Sequence, residues 1–287
     1  MRVRLYSFIL LLNSYITGLL LIGIYSFSVI VLELPTGIMA DIIGRKKTFC
    51  LSLIVSLIFS VVIILGNGLI ILCIGMLLYG LNRAISSGSF EALFIDSYIN
   101  EFGKDRLHVA TTRINVIDAL GLSAGALTGG YLPEISSKYF SSIGMYDLSL
   151  IVRIILTIIV LIFALIYIKE TVVYENKQKV SLIEHIKNSS SIVTENKNII
   201  CIFISVFSTG FLFSSLETYW QPHFISLMPN NSAMFLLGVM AFMYFAAAMA
   251  GNIIYGRIFS KYNTKKMYLL LRSILAIVLI ITALQTN

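Results

Sequence analysis

The sequence LELPTGIMADIIGRKKTFC, from Leu32 to Cys50, places a dense patch of charge between two long apolar segments. An aspartate, Asp41, and three consecutive basic residues, Arg45 to Lys47, lie in a stretch that also holds Pro35 and two glycines. Apolar sequence resumes at Phe49. This pattern is typical of a short turn at the water boundary between two helices that cross a membrane.

The composition places the whole chain in a membrane. Of its 287 residues, 58% are hydrophobic and 12% are charged, and the mean hydropathy is +0.91. Soluble domains carry about 25% charged residues. Apolar runs of roughly 20 residues, long enough to cross a bilayer, recur along the chain. They predict eight spans: Thr17–Ala40, Phe49–Asn67, Leu69–Ser89, Ile114–Leu132, Leu148–Ile168, Asn198–Trp220, Met234–Tyr255 and Met267–Leu284.

A shorter apolar run, Leu5–Leu12, precedes the first predicted span. About eight residues rise only about 12 Å in a helix, too little to cross a bilayer. No small-residue cleavage pattern follows the run, so it does not resemble a signal peptide. We predict that it is the end of a separate helix.

Lysine and arginine residues concentrate in alternate loops, which places those loops in the cytoplasm. Basic clusters follow the first, third, fifth and seventh spans, whereas the intervening loops contain a single lysine, Lys138. The net charge of +7 therefore indicates membrane topology rather than binding to nucleic acid. Residues 169–197 are predicted to form a polar cytoplasmic linker.

The positions Gly37, Asp41, Gly44, Arg45 and Lys46 resemble the signature between the second and third helices of the major facilitator superfamily. The glycines are expected to relieve crowding and to permit unusual backbone angles. The resemblance implies a secondary transporter in which two helical bundles rock about a central site. It also implies an all-α multi-spanning fold.

A repeat supports the same interpretation. The segment GRIFSKYNTKK, Gly256–Lys266, aligns with Gly37–Lys47, and its first glycine and its final two lysines match. Asn263 replaces Gly44, and Asn is the non-glycine residue that best tolerates a left-handed backbone. The two loops are therefore predicted to be equivalent positions of two halves.

In the resembling family these loops follow helices two and eight of twelve. The chain is then predicted to hold an N-terminal six-helix half that is nearly complete, with most of helix one absent. Three helices of the C-terminal half, seven to nine, would follow. The predicted domains are an N-terminal bundle over residues 1–168, the linker over 169–197, and a partial C-terminal bundle over 198–287.

The span from Ile114 contains GLSAGALTGG, which resembles the glycine motif in helix five of proton-coupled drug exporters. Small residues at such spacing let two helix backbones approach closely. The family pattern has a proline where this chain has Ala126, and generic helix packing stays open as the alternative. The predicted motif positions are Gly121, Gly125, Gly129 and Gly130.

Ionisable residues within the spans are the next candidates, because each costs about 2.5 to 3.5 kcal/mol at a helix centre. Arg83 and Glu91 are eight residues apart and share roughly one helix face. By the resemblance, Arg83 belongs to a proton-coupling region. Asp96 would pair with Arg45 and Arg113 to latch the cytoplasmic helix ends. A structural role for Arg83 stays open.

Arg83, Glu91 and two further carboxylates are predicted to lie on a proton or substrate pathway. Glu33 lies about two turns from Asp41 and is either protonatable or held by hydroxyls such as those of Ser28 and Thr36. Glu217, with the aromatic residues after it, would contact cationic, apolar substrates. An aromatic belt at the membrane interface is the alternative for those aromatic residues.

Catalytic chemistry has little support in the sequence. The three cysteines and three histidines are scattered, so neither a metal site nor a disulfide framework nor a cofactor is predicted. The favoured interpretation is a plasma-membrane transporter, not an enzyme, that exchanges protons for small apolar or cationic compounds. Its partners would be the bilayer, the substrate and protons. A non-transporting remnant or scaffold, and an uptake carrier, stay open.

Overall fold

The computed structural model describes residues 2–103, 107–140, 144–170, 196–227, 233–257 and 264–284. Eight helices account for almost all of these residues, and no strand occurs among them. The predicted all-α fold is therefore confirmed. The helices are α1 (Arg2–Ile43), α2 (Arg45–Leu65), α3 (Leu69–Phe102), α4 (Leu107–Tyr139), α5 (Asp147–Tyr167), α6 (Lys197–Leu227), α7 (Ala233–Arg257) and α8 (Thr264–Leu284).

The first helix differs from the sequence prediction. Helix α1 runs without a break from Arg2 to Ile43, so the run Leu5–Leu12 and the first predicted span belong to one helix. The predicted break between them does not occur. Residues 13–16 contain neither glycine nor proline, so the sequence has no signal that ends a helix there. The prediction relied on apolar length alone.

Five helical segments of the described chain are long and apolar enough to cross a membrane, consistent with a multi-pass membrane protein. They fall on α1, α2, α3, α5 and α7, and they coincide with five of the predicted spans. The other three predicted spans are also helical, within α4, α6 and α8. The segments are Ile16–Ile43, Arg45–Leu65, Leu69–Phe102, Asp147–Tyr167 and Phe235–Arg257.

Three helices extend well beyond the ends of the predicted spans. Helix α3 continues past Ser89 to Phe102, α4 continues past Leu132 to Tyr139, and α6 continues past Trp220 to Leu227. Pro133, which the sequence places in an external loop, therefore lies within α4. Helices that cross membranes tolerate proline, because neighbouring groups satisfy the backbone that it frees.

The chain divides into two compact units. The first comprises α1, α2, α3 up to Ser97, the end of α4 from Leu132, α5 and α6. The second comprises the rest of α3 and α4 with α7 and α8. The predicted linker falls largely on residues 171–195, outside the described residues, so the division into halves stays a prediction.

Helix α2 forms the core of the first unit. Its buried face repeats a small hydroxyl residue every four positions, at Thr48, Ser52, Ser56 and Ser60. Small residues at this spacing allow neighbouring helices to approach closely, and α5 and α1 both pack against α2. Three of these hydroxyls donate to carbonyls of their own chain, 2.7 to 2.9 Å away, so their burial leaves no lost hydrogen bond.

Candidate functional site

Helices α1 and α2 are joined by one residue, Gly44. Its φ of 108° and ψ of 144° lie in a region essentially restricted to glycine. The Gly44 N–H donates to the Ala40 carbonyl at 3.1 Å, and the Gly44 carbonyl accepts from the Thr48 N–H at 3.1 Å. The turn between the helices is therefore a single residue, and its backbone conformation requires glycine.

Gly37, the other motif glycine, lies inside α1 and has no positive φ. A Cβ atom at this position would meet nothing within 4 Å. The expectation that Gly37 permits an unusual backbone angle was therefore wrong, because the turn begins only after Ile43. The backbone of Gly37 nevertheless packs closely against α3, because a Cβ atom on Gly88 would lie 3.2 Å from the Gly37 Cα.

Arg45, the first residue of α2, forms ion pairs with two acidic residues of other helices. Its guanidinium lies 2.6 Å from the Asp96 carboxylate of α3 and 3.7 Å from that of Asp41, one turn earlier. Arg45 is 22% exposed and Asp96 40% exposed, so the pair contributes at most about 1 kcal/mol. Its main effect is to fix the end of α3 beside the turn. Arg113 belongs to the second unit, and its predicted share in this latch stays a prediction.

Glu170 completes this cluster, and the sequence interpretation missed it. Its carboxylate accepts the Lys46 backbone N–H at 2.9 Å, the bond that an N-cap side chain normally makes. Glycine at the N-cap position has no side chain to do this. In return, the Lys46 ammonium donates to the Leu165 carbonyl at 3.0 Å, near the end of α5. We call Asp41, Gly44, Arg45, Lys46, Asp96 and Glu170 the loop cluster.

Above the loop cluster, α1 and α3 pack along a regular line of contacts, which we call the α1–α3 seam. Ser28 donates to the Leu77 carbonyl at 3.1 Å, and Thr36 donates to the Ala84 carbonyl at 3.0 Å. The rings of Tyr25 and Tyr79 stack at 5.0 Å. In each of these contacts, the residue of α3 lies about fifty positions after its partner in α1. The two helices therefore run in the same direction.

The seam also contains ionisable groups at membrane depth. Arg83, Ser87 and Glu91 occupy successive turns of α3, and the Ser87 hydroxyl lies 3.5 Å from the Glu33 carboxylate of α1. Glu33, Arg83 and Glu91 are exposed within the described chain and form no ion pair there. Three predicted pathway residues therefore lie along one seam, with open access to their charged groups.

Glu217, the fourth predicted pathway residue, lies on α6 and is exposed. The Tyr25 hydroxyl lies within electrostatic range of Arg83 and Glu217. Tyr25 belongs to the α1–α3 seam, and Glu217 belongs to α6. Both belong to the first compact unit.

An arginine of α5 borders the seam on its other side. The Arg153 guanidinium lies 4.8 Å from the centre of the Phe59 ring and 5.2 Å from that of Tyr79. It also donates to the Ser56 hydroxyl at 3.2 Å. The Tyr79 ring in turn stacks on Phe59 at 5.1 Å. Sequence alone marks Arg153 as an ionisable residue within a span, but does not reveal these neighbours.

The predicted glycine motif on α4 makes one close helix contact within the second unit. A Cβ atom on Gly238 of α7 would lie 2.9 Å from both the Ala126 carbonyl oxygen and the Gly130 Cα. A Cβ atom at Gly121, Gly125 or Gly129 would meet nothing within 4 Å. The contact is therefore confined to the end of the motif.

These features define a helical membrane protein with a charged one-residue turn and a polar seam. The family model of the Major Facilitator Superfamily matches residues 7–286, and the chain belongs to this superfamily of membrane transporters. The chain is also similar to an uncharacterized MFS-type transporter, YxaM, of Bacillus subtilis strain 168. The two are 25% identical over 199 residues, which cover 67% of this chain and 46% of that protein. The chain thus spans less than half of that relative. No solved structure matches it significantly.

Proposed function

We propose that the protein is a secondary active transporter of the plasma membrane that exports small apolar or cationic compounds in exchange for protons. The observation that supports this most directly is Glu33. Its carboxylate lies at membrane depth, faces Ser87 and forms no ion pair among the described residues. Ionisable groups in this position mark substrate and ion pathways in membrane proteins.

One carboxylate that binds either a proton or a cation couples the two movements. An ionised Glu33 attracts a cationic substrate, and protonation of Glu33 removes that attraction and releases the substrate. Exchange follows when the site opens alternately to the two sides of the membrane. Glu33 lies ten residues before the end of α1, about 15 Å along the helix. Glu91 lies on the path from that depth to the loop cluster.

The loop cluster would hold the cytoplasmic ends of α1, α2, α3 and α5 together during this cycle. Arg45 joins the turn to α3, while Lys46 and Glu170 join it to α5. We place this cluster and the predicted linker on the cytoplasmic side, because basic residues favour that side. A cysteine introduced at Ser181 should then react with impermeant maleimide only from the cytoplasm. Reaction from outside would contradict this orientation.

Transport by the 287-residue chain is tested in proteoliposomes that contain a pH-sensitive dye. An imposed proton gradient should drive tetraphenylphosphonium movement, and added tetraphenylphosphonium should move protons in the opposite direction. Glu33→Gln should abolish both coupled fluxes. The matched control is Glu101→Gln. Glu101 is an exposed carboxylate near the end of α3, the helix that also carries Ser87. Coupled flux that persists in Glu33→Gln, or is absent from the unaltered chain, would contradict the proposal.

A further inference from the structure

Arg153 lies at membrane depth in a setting that leaves its charge without an acidic partner. It is six residues after the start of α5, about 9 Å along the helix. No carboxylate of the described residues lies within ion-pair distance of it. The nearest acid along α5, Asp147, accepts the Gly144 N–H at 2.9 Å instead. Arg45, by contrast, has two acidic partners.

The neighbours of Arg153 satisfy only part of its bonding capacity. A guanidinium carries five N–H donors, and one hydrogen bond to a side chain, Ser56, is formed within the described residues. Phe59 and Tyr79 attract the charge through their ring faces. Ring faces do not supply the lone pairs of an oxygen or a halide. Donors of Arg153 therefore remain available to an acceptor.

A second, independent observation concerns Ser149, one turn before Arg153 on the same face of α5. Its hydroxyl is buried and has no hydrogen-bond partner within the described residues. Other buried helix serines, such as Ser52, Ser60 and Ser89, donate to carbonyls of their own helix. A buried hydroxyl without a partner is unusual. Its donor is therefore available to an acceptor that is not among the described residues.

Ser56 provides the third donor. Its hydroxyl oxygen accepts from Arg153, and its own O–H makes no hydrogen bond among the residues described here. An arginine and two hydroxyl donors with one net positive charge match a small monovalent anion. A bound metal ion would instead require acceptor side chains such as carboxylates.

We propose that Arg153, Ser56 and Ser149 form a binding site for a small monovalent anion, either a halide or the carboxylate of a small molecule. The site lies between α2, α3 and α5, toward the end of the unit where α5 begins. It is separate from Glu33, and it does not depend on the proposed transport cycle.

Binding is measured on the purified 287-residue chain in an uncharged detergent, at constant ionic strength. Chloride or acetate is added in place of gluconate, a bulkier anion that serves as the reference. Chloride binding is followed by the broadening of the chloride NMR line, and stabilisation by the midpoint of thermal unfolding. A ligand that binds only the folded state raises this midpoint in a saturable manner. Chloride tests the halide source, and acetate tests the carboxylate source.

Ser149→Ala separates this proposal from a purely structural role. The variant should weaken the apparent anion affinity at least about tenfold, since it loses one hydrogen bond to a charged partner. In gluconate it should be as stable as the unaltered chain or more stable, because a buried unpaired hydroxyl is unfavourable. In saturating anion the stability difference should shift against the variant by about 1.4 kcal/mol, the equivalent of a tenfold loss of affinity. This shift is expected only if the hydroxyl binds the anion.

Arg153→Met should abolish the anion response, and Arg272→Met should leave it unchanged. Arg272 is the matched control, because its guanidinium also lies over an aromatic ring, that of Tyr268, at 5.0 Å. An unaltered chain that responds equally to chloride, acetate and gluconate would overturn the proposal. So would a Ser149→Ala variant with the same stability difference in every anion. Either result would show that the rings alone balance the charge of Arg153.

Discussion

The one-residue turn at Gly44 allows backbone strain and helix capping to be measured separately. In Gly44→Ala, the alanine must adopt a backbone conformation that costs about 1 to 3 kcal/mol for a residue with a side chain. The new Cβ atom would also lie 2.7 to 2.9 Å from the carboxylate atoms of Glu170. That carboxylate is the end of a flexible side chain, so it moves away at little cost but loses its bond to Lys46.

The lost cap adds about 0.5 to 2 kcal/mol, so Gly44→Ala should lower the free energy of unfolding by about 1.5 to 5 kcal/mol in total. Glu170→Ala alone should remove only the cap. The double variant should then cost less than the sum of the two single variants, by about the energy of the cap. The assay is unfolding in mixed micelles of rising SDS fraction, followed by far-ultraviolet circular dichroism.

Gly68 provides a matched control, because its φ is 95° and a Cβ atom added there would meet nothing within 4 Å. Gly68→Ala should show backbone strain alone, and its effect should add fully to that of Glu170→Ala. If Gly44→Ala and Glu170→Ala were also fully additive, the two residues would not be coupled. The account of Glu170 as the cap of α2 would then be wrong.

Three further predictions concern helix contacts and use the same unfolding assay. Gly238→Leu should destabilise the chain by about 1 to 3 kcal/mol through overpacking against Ala126 and Gly130, whereas Gly129→Leu should be tolerated; equal effects would contradict this contact. Gly88→Val should be destabilising because its side chain meets the Gly37 backbone, while Gly37→Ala should be neutral or slightly stabilising. Asp96→Asn should cost at most about 1 kcal/mol, less at high salt; a larger, salt-independent cost would show that the Arg45 pair is more than a surface contact.

The features predicted correctly from the sequence are those that depend on local pattern. Apolar run length indicated the helices, and the superfamily was identified from the spacing of charge and glycine around Asp41. Glycine at position 44 was expected to allow an unusual backbone angle, and it does. The predicted break after Leu12 was wrong, because it depended on the length of the apolar run alone. A run of eight apolar residues does not show whether a helix continues beyond it.

The features that the sequence did not reveal depend on distant residues. Glu170 is 124 positions from the backbone N–H that it accepts, and no short motif links the two. Arg153 was recognisable as an ionisable residue in a span, but its place beside Phe59 and Tyr79 follows from the packing of three helices. The glycines of α4 look equivalent in sequence, yet only Gly130 faces a close neighbour, because the approach of α7 selects one end of the motif.

The cap on α2 gives a physical reason for the difference between the two loops that the sequence repeat predicts to be equivalent. Gly44 stands immediately before α2, and Asn263 stands immediately before α8, although Asn263 itself lies outside the described residues. Asparagine is among the best N-cap residues because its own side chain accepts a backbone N–H, whereas glycine must borrow an acceptor. In the first loop, the acceptor is Glu170, which follows α5 closely and lies at the start of the predicted linker. The start of α2 is therefore coupled to Glu170, the residue that supplies its cap.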